Sequence, residues 1–285
     1  MDERSRPYRS VLYIPGSKAR ALEKARTLPV DAIIFDLEDA VAPDAKAEAR
    51  ETLRAELDAG GYGQTARLVR VNALDTEWGA DDIAAMRGAD FHGLLLPKVG
   101  APGDLDAAAG HLGDDLPLWA MMETPRGILN AAAIAAHPRL AGFVAGTNDL
   151  AKELGCAMRA DRLPMIHALE TLLMAARAEG KVAVDGVFNH FRDEDGLRAE
   201  CEQGRDLGFD GKTLIHPAQV ATANAAFAPA AEDIELARRQ IEAYDAAEAR
   251  GEGVAVVDGQ IVENLHVETA RRTLAKAEAI AALAH

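Results

Sequence analysis

The sequence predicts an α/β fold, a TIM-type (β/α)8 barrel followed by a C-terminal helical extension. Three observations carry the prediction. Short apolar runs lack the alternation of a water-facing strand, so both their faces are covered. Stretches rich in Ala, Leu, Glu and Arg with helical spacing separate them. Several of the runs then end abruptly in carboxylate, guanidinium or amine side chains.

In chain order, the runs at 11–15, 32–39, 67–73, 93–99, 117–124, 140–147, 182–187 and 212–217 read as strands. The stretches at 19–28, 45–57 and 163–179 are examples of the helices between them. Strand and helix alternating eight times with no long structureless insert fits a closed barrel better than an open sheet. The catalytic face of such a barrel lies at the C-terminal ends of its strands, where Glu38, Asp39, Arg70, Lys98, Glu123 and Asp149 are expected.

Beyond the last strand, 232–250 and 267–284 read as helices and 251–259 as a Gly-bearing turn region. The expected division is a barrel over 1–228 and an extension over 229–285 that acts as a lid over its own or a neighbouring barrel, or else caps the barrel bottom.

A chain of 285 residues, 49% hydrophobic and 27% charged, can bury a full-sized core. No window approaches the ~18 apolar residues of a membrane span. The charged N-terminus lacks a signal-peptide core, so a cytoplasmic protein with no membrane partner is expected. Cys156 and Cys201 have no metal or disulfide spacing and read as buried or incidental thiols. The formal charge of −15 argues against nucleic-acid binding. The first 26 residues nevertheless carry Arg4, Arg6, Arg9, Lys18, Arg20, Lys24 and Arg26 against Asp2, Glu3 and Glu23. That is either a solvated basic face or an entrance for a polyanionic small molecule.

Glu123 and Asp149, at the ends of the fifth and sixth strands, are two hard oxygen ligands suited to magnesium with water and substrate completing the octahedron. Glu38 and Asp39 stand behind them, orienting metal-bound water. Four crowded acids repel one another unless a cation neutralises them. The plainer alternatives are that Glu123 caps the next helix and Asp149 binds nearby amides. Arg70, inside an apolar strand, must meet an acid: Glu38 or Asp39 as a structural pair, or a substrate carboxylate. Lys98 is a candidate for a substrate oxygen. Asp185 and His216 also end strands, His216 equally as a packed imidazole, and Trp78 and Trp119 read as packing residues.

The ordered set Ser10-Val11-Leu12-Tyr13-Ile14-Pro15-Gly16, Asp36-Leu37-Glu38-Asp39-Ala40-Val41, Val69-Arg70-Val71-Asn72, Leu96-Pro97-Lys98, Glu123-Thr124-Pro125 and Ile215-His216-Pro217-Ala218-Gln219 resembles the citrate lyase β-subunit-like proteins, which include malyl-CoA and citramalyl-CoA lyases. The resemblance implies a TIM barrel that assembles as a trimer or hexamer, binds Mg2+ and takes a CoA thioester. It implies Glu123 and Asp149 as metal ligands, Glu38 and Asp39 meeting the metal through water, Arg70 on the carboxylate of a 2-oxo acid unit, and Lys18, Arg20 and Lys24 near CoA phosphates.

The family's lyases carry a proton-transferring aspartate in a Gly-x-Met-Ile/Val-Asp pattern of the adjoining subunit. Here Gly259-Gln260-Ile261-Val262-Glu263 places a carboxylate one methylene longer, with Asn264-Leu265 where a proline usually follows. The N-terminal sequence and compact length resemble the malyl-CoA thioesterase branch. Hydrolysis of (S)-malyl-CoA is therefore the expected reaction. Carbon–carbon cleavage to a 2-oxo acid and an acyl-CoA is the alternative, and a lyase subunit dependent on an acyl carrier protein is the second alternative.

Overall fold

In the computed structural model, residues 6–113 and 115–283 are described. Eight parallel strands close in sequence order: β1 (Ser10–Pro15), β2 (Ala32–Asp36), β3 (Ala66–Arg70), β4 (Gly93–Leu96), β5 (Leu118–Met122), β6 (Leu140–Ala145), β7 (Val182–Asp185) and β8 (Gly211–Leu214), with β8 pairing back onto β1. The expected barrel holds. All but β1 end before their apolar runs do, because the last residues of the run leave the sheet to form the loops of the mouth. Leu37, Glu38 and Asp39 follow β2 as a turn, and Asn72 follows β3.

Side-chain parity sorts the core. One set of alternate residues, including Val11, Ile34, Leu68, Leu95, Trp119, Met121, Val144 and Val184, fills the barrel interior. The opposite set, including Leu12, Ile33, Phe35, Val69, Leu94 and Phe143, packs outward against the helices. Trp119 is fully buried and its ring lies 5.1 Å from that of Tyr8, the packing role expected of it. Following the inner parity upward, 11 leads to Tyr13, 32 and 34 to Asp36, 66 and 68 to Arg70, and 119 and 121 to Glu123. The chemistry at the mouth is thus the continuation of the apolar layers below it.

Tyr8–Phe227 forms one compact unit. A second holds two long helices, Ala231–Glu248 and Asn264–Ala282, which pack on each other. Between them, where a turn region was expected, lies an antiparallel hairpin of β9 (Ala255–Val257) and β10 (Gln260–Val262). Its two-residue turn, Asp258-Gly259, has both φ values positive, 51° and 77°, the backbone of a type I′ turn. Ala247, Ala255, Val262 and Val267 form this unit's own small core. Among the described residues no helix is long and apolar enough to cross a membrane.

Candidate active site

A pocket of about 360 Å³ opens at the C-terminal ends of the strands, and Tyr13, Asp36, Asp39, Arg70, Glu123 and Asp149 are among the residues that line it. Four of the expected site residues therefore share one cavity. Glu38 stands behind them, its Oε2 2.9 Å from Nη1 of Arg70.

The partner of Arg70 differs from expectation. In the sheet Arg70 is in register with Asp36, and inner parity turns both side chains into the barrel. The guanidinium takes Asp36 side-on with its Nε–Nη2 edge, Nε to Oδ1 at 2.8 Å and Nη2 to Oδ2 at 2.7 Å. This bidentate pair is buried. Glu38 and Asp39 meet only Nη1, at 2.9 and 3.4 Å. Asp36 also accepts the backbone N–H groups of Glu38 and Ala40, so it shapes the turn that presents the two acids. The sequence signal was available: a polar residue at inner parity, in register with the arginine.

Lys46 was also missed. Buried at the start of helix Lys46–Ala59, its Nζ donates to the carbonyls of Leu37 and Glu38 at 3.0 and 2.8 Å and to Asn72 Oδ1 at 2.7 Å. Asn72 returns a bond to the Leu37 carbonyl and is held by Asp82, which pairs with Arg50. A fully satisfied polar network therefore anchors the segment bearing Glu38 and Asp39 from behind.

Glu123 follows β5 directly and is 2% exposed. It does not cap the next helix, because Thr124 Oγ1 accepts the Gly127 N–H at 3.0 Å. Its Oε1 instead accepts the backbone N–H of Lys98 at 2.7 Å, made possible by Lys98 standing at φ 51°. Gly146 leaves the room it needs, since a Cβ there would lie 2.3 Å from Glu123 Cβ. Asp149 is not a strand residue; it lies in the first turn of helix Thr147–Leu154, and among the described residues no hydrogen bond to its carboxylate is formed.

Burial pushes the Glu123 carboxyl up to about 7, opposed by the Lys98 N–H and the Arg70 charge and reinforced by Asp149. Burial likewise pushes Glu38 up to about 8, opposed by Arg70 and reinforced by Asp39, Glu123 and Asp36. The Oε2 atom of Glu38 is close to Arg70 but not aligned for a hydrogen bond, which leaves it an orphaned buried oxygen. Among the described residues no three His, Cys, Asp or Glu side chains converge as a complete metal cage. Magnesium commonly takes one or two carboxylates and keeps water or substrate oxygens for the rest. Glu123 and Asp149 lining one cavity, with the orphaned Glu38 oxygen behind, fit such an ion.

Other candidates separate from this cavity. Lys98 is exposed and lines a neighbouring hollow of about 210 Å³. Asp185, although it ends a strand, is not among the residues lining the pocket: it is fully buried and held by Arg162 and Lys212, whose charges keep its carboxyl below the ordinary range against burial. His216 caps a turn of 3-10 helix by accepting the Ala218 N–H and stacks on Phe191 at 4.6 Å. Trp78 lies over the Lys46 ammonium. Cys201 is buried and Cys156 half-buried, both free. Lys18, Arg20 and Lys24 are exposed on and just before helix Ala19–Ala25, which follows the mouth end of β1, while Arg4 lies outside the described residues. Glu263 is exposed at the end of β10 in the second unit.

The family model described as HpcH/HpaI aldolase/citrate lyase matches residues 9–217. The chain belongs to this family. A second model, a C–C bond lyase of the TIM-barrel fold, matches 158–281. The (3S)-malyl-CoA thioesterase of Cereibacter sphaeroides (strain KD131 / KCTC 12085) is 64% identical over 282 residues, covering 99% of each chain. Citrate lyase subunit beta of Escherichia coli (strain K12) is 35% identical over 288 residues, covering 96% of this chain and 95% of that one. Among solved structures, protein CitE from Mycobacterium tuberculosis in complex with magnesium, acetoacetate and coenzyme A superposes with a TM-score of 0.80 at 32% identity, covering 96% of this chain and 99% of that one. The family and barrel expected of this chain are therefore met.

Proposed function

We propose that this chain is a Mg2+-dependent thioesterase that hydrolyses (3S)-malyl-CoA to malate and CoA. The observation that carries the reading is the 64% identity over 99% of both chains to an enzyme of that name. The pocket supports it: two carboxylates for a divalent cation, a guanidinium for an acyl carboxylate, and a cavity sized for a small acid.

When bound between Glu123 and Asp149, magnesium supplies Lewis-acid polarisation of substrate oxygens and offsets the charge of the surrounding acids. Glu38 and Asp39 orient water on the acidic side of the cavity. Arg70, fixed on Asp36, offers the Nη1 edge to the free carboxylate of the acyl group, so the thioester is held in one orientation. Glu263 of an adjoining subunit takes the proton of the attacking water. Lys18, Arg20 and Lys24 attract the CoA phosphates. The enzyme assembles as a homotrimer or homohexamer and works in the cytoplasm.

Carbon–carbon cleavage is the competing reaction, favoured by the match of 158–281 to the C–C bond lyase model. Product analysis separates the two. Purified protein with (3S)-malyl-CoA and Mg2+ is expected to release malate and stoichiometric free thiol. Glyoxylate with intact acetyl-CoA would replace hydrolysis by lyase chemistry.

A further inference from the structure

Tyr13 stands on the inner face of β1, half-buried in the wall of the pocket, which Asp36, Arg70, Met121 and Glu123 also line. Its hydroxyl is poorly served. Among the described residues its one hydrogen-bond partner is the Met121 thioether, at 3.8 Å, a weak acceptor. A hydroxyl withdrawn from water without a good acceptor is unfavourable, and phenylalanine would fill the same space without that cost.

The same sulfur receives a second donor. Arg70 Nη1 lies 3.5 Å from Met121 Sδ, and the guanidinium carbon sits 5.0 Å from the centre of the Tyr13 ring. Nε and Nη2 are taken by Asp36, so Nη1, which also meets Glu38 and Asp39 at 2.9 and 3.4 Å, is the nitrogen that faces the sulfur. Two donors thus flank one soft atom on the pocket wall. An anionic oxygen seated over Met121 receives both. Burial raises the phenol's pKa far above its ordinary value, so it keeps its proton and remains a donor.

We infer that Tyr13 is a substrate-binding residue whose hydroxyl donates, beside Arg70 Nη1, to the free carboxylate of the acyl group, and so selects dicarboxylic acyl thioesters over those without a second carboxylate. This rests on the proposed orientation of the substrate. It names a contact that the phenol makes directly with the ligand, while Asp36 and Lys46 act only through other residues.

The experiment compares wild type with Tyr13→Phe in the presence of Mg2+, titrating (S)-malate and acetyl-CoA by calorimetry, recording Tm, and measuring kcat/KM for malyl-CoA. Loss of a hydrogen bond to a charged group weakens malate binding roughly tenfold to a hundredfold and lowers kcat/KM by a similar factor. Acetyl-CoA affinity stays the same, and Tm is unchanged or higher because no strong internal bond is lost. Unchanged malate affinity, no measurable malate binding by wild type, equal weakening of both ligands, or a Tm lowered by several degrees each overturns the inference. A wild type that binds malate but leaves malyl-CoA intact refutes the proposed reaction, while the malate comparison still decides Tyr13.

Discussion

Arg70 and Asp36 face each other in register on β3 and β2 and are joined by two hydrogen bonds of 2.8 and 2.7 Å, with both side chains turned into the barrel mouth. The pair fixes which guanidinium edge remains for a ligand, and Asp36 at the same time ties down the amides of Glu38 and Ala40. Asp36→Asn takes from a buried guanidinium its bidentate carboxylate, leaving only the contacts of Nη1 with Glu38 and Asp39. Breaking a buried pair from one side costs about 3–5 kcal/mol. Urea denaturation should show a loss of that size, with kcat/KM falling at least tenfold; a variant as stable and active as wild type would contradict the assignment.

Lys46→Met removes two hydrogen bonds to the turn that presents Glu38 and Asp39 and one to Asn72 Oδ1, and leaves the Leu37 carbonyl to Asn72 alone. An unsatisfied buried acceptor costs about 1–3 kcal/mol. The expected result is a Tm several degrees lower and a larger loss in kcat than in KM, since the acids are displaced while the substrate grip at Arg70 persists. Thermal melts and steady-state kinetics measure both.

Gly146→Ala places a methyl group where Glu123 already stands, within 2.3 Å of its Cβ and 2.6 Å of its Oε2. A displaced Glu123 loses its bond from the Lys98 amide and its aim at the cation. Magnesium titration of activity should show at least a tenfold weaker requirement curve with the fold retained by circular dichroism.

The acids also set a pH dependence. Glu38 and Glu123, with carboxyls raised from 4.5 to about 8 and about 7, bind protons more readily in the folded chain than in the unfolded one. Stability of the metal-free protein is therefore greatest below about pH 4.5 as far as these two groups are concerned, and their contribution is lost as pH rises through 7 and 8. Added Mg2+ requires the deprotonated forms, so its stabilising effect grows over the same range. Melting curves with and without Mg2+ from pH 5 to 8.5 should diverge upward; a metal-induced shift that is constant with pH would contradict this.

Much of the mouth was legible because burial on both faces leaves an apolar run whose end is conspicuous when a charge appears. Glu38, Asp39, Arg70, Glu123 and Asp149 were all visible that way. The run length misled where the turn after β2 is itself buried: Leu37 packs among the outer helices, so the strand looked longer than it is. Asp36 was overlooked because an acid inside an apolar run was not assigned to a face, although its parity with Arg70 places both inside. Lys46 carries no local signal, since its role arises from carbonyls eight and nine residues earlier and from Asn72 just after the next strand. Asp149 belongs to a helix because the chain turns at Gly146. The hairpin after the barrel was signalled by Asp258-Gly259 between short apolar triplets, but three-residue strands are too brief for alternation to register.

Glu263→Asp shortens the assigned base by one methylene. If that carboxylate directs hydrolysis over cleavage, the ratio of malate to glyoxylate from malyl-CoA should shift toward glyoxylate, read by coupled assays for both products. An unchanged ratio would remove Glu263 from the choice between reactions.

The direct test of the site is whether Glu123 and Asp149 together hold one divalent cation. Mn2+ binding followed by electron paramagnetic resonance in wild type, Glu123→Gln and Asp149→Asn should show one ion per chain in the first and a weakening of at least tenfold in each variant, with Mg2+ displacing the wild-type ion. Undiminished Mn2+ binding in both variants would contradict the account.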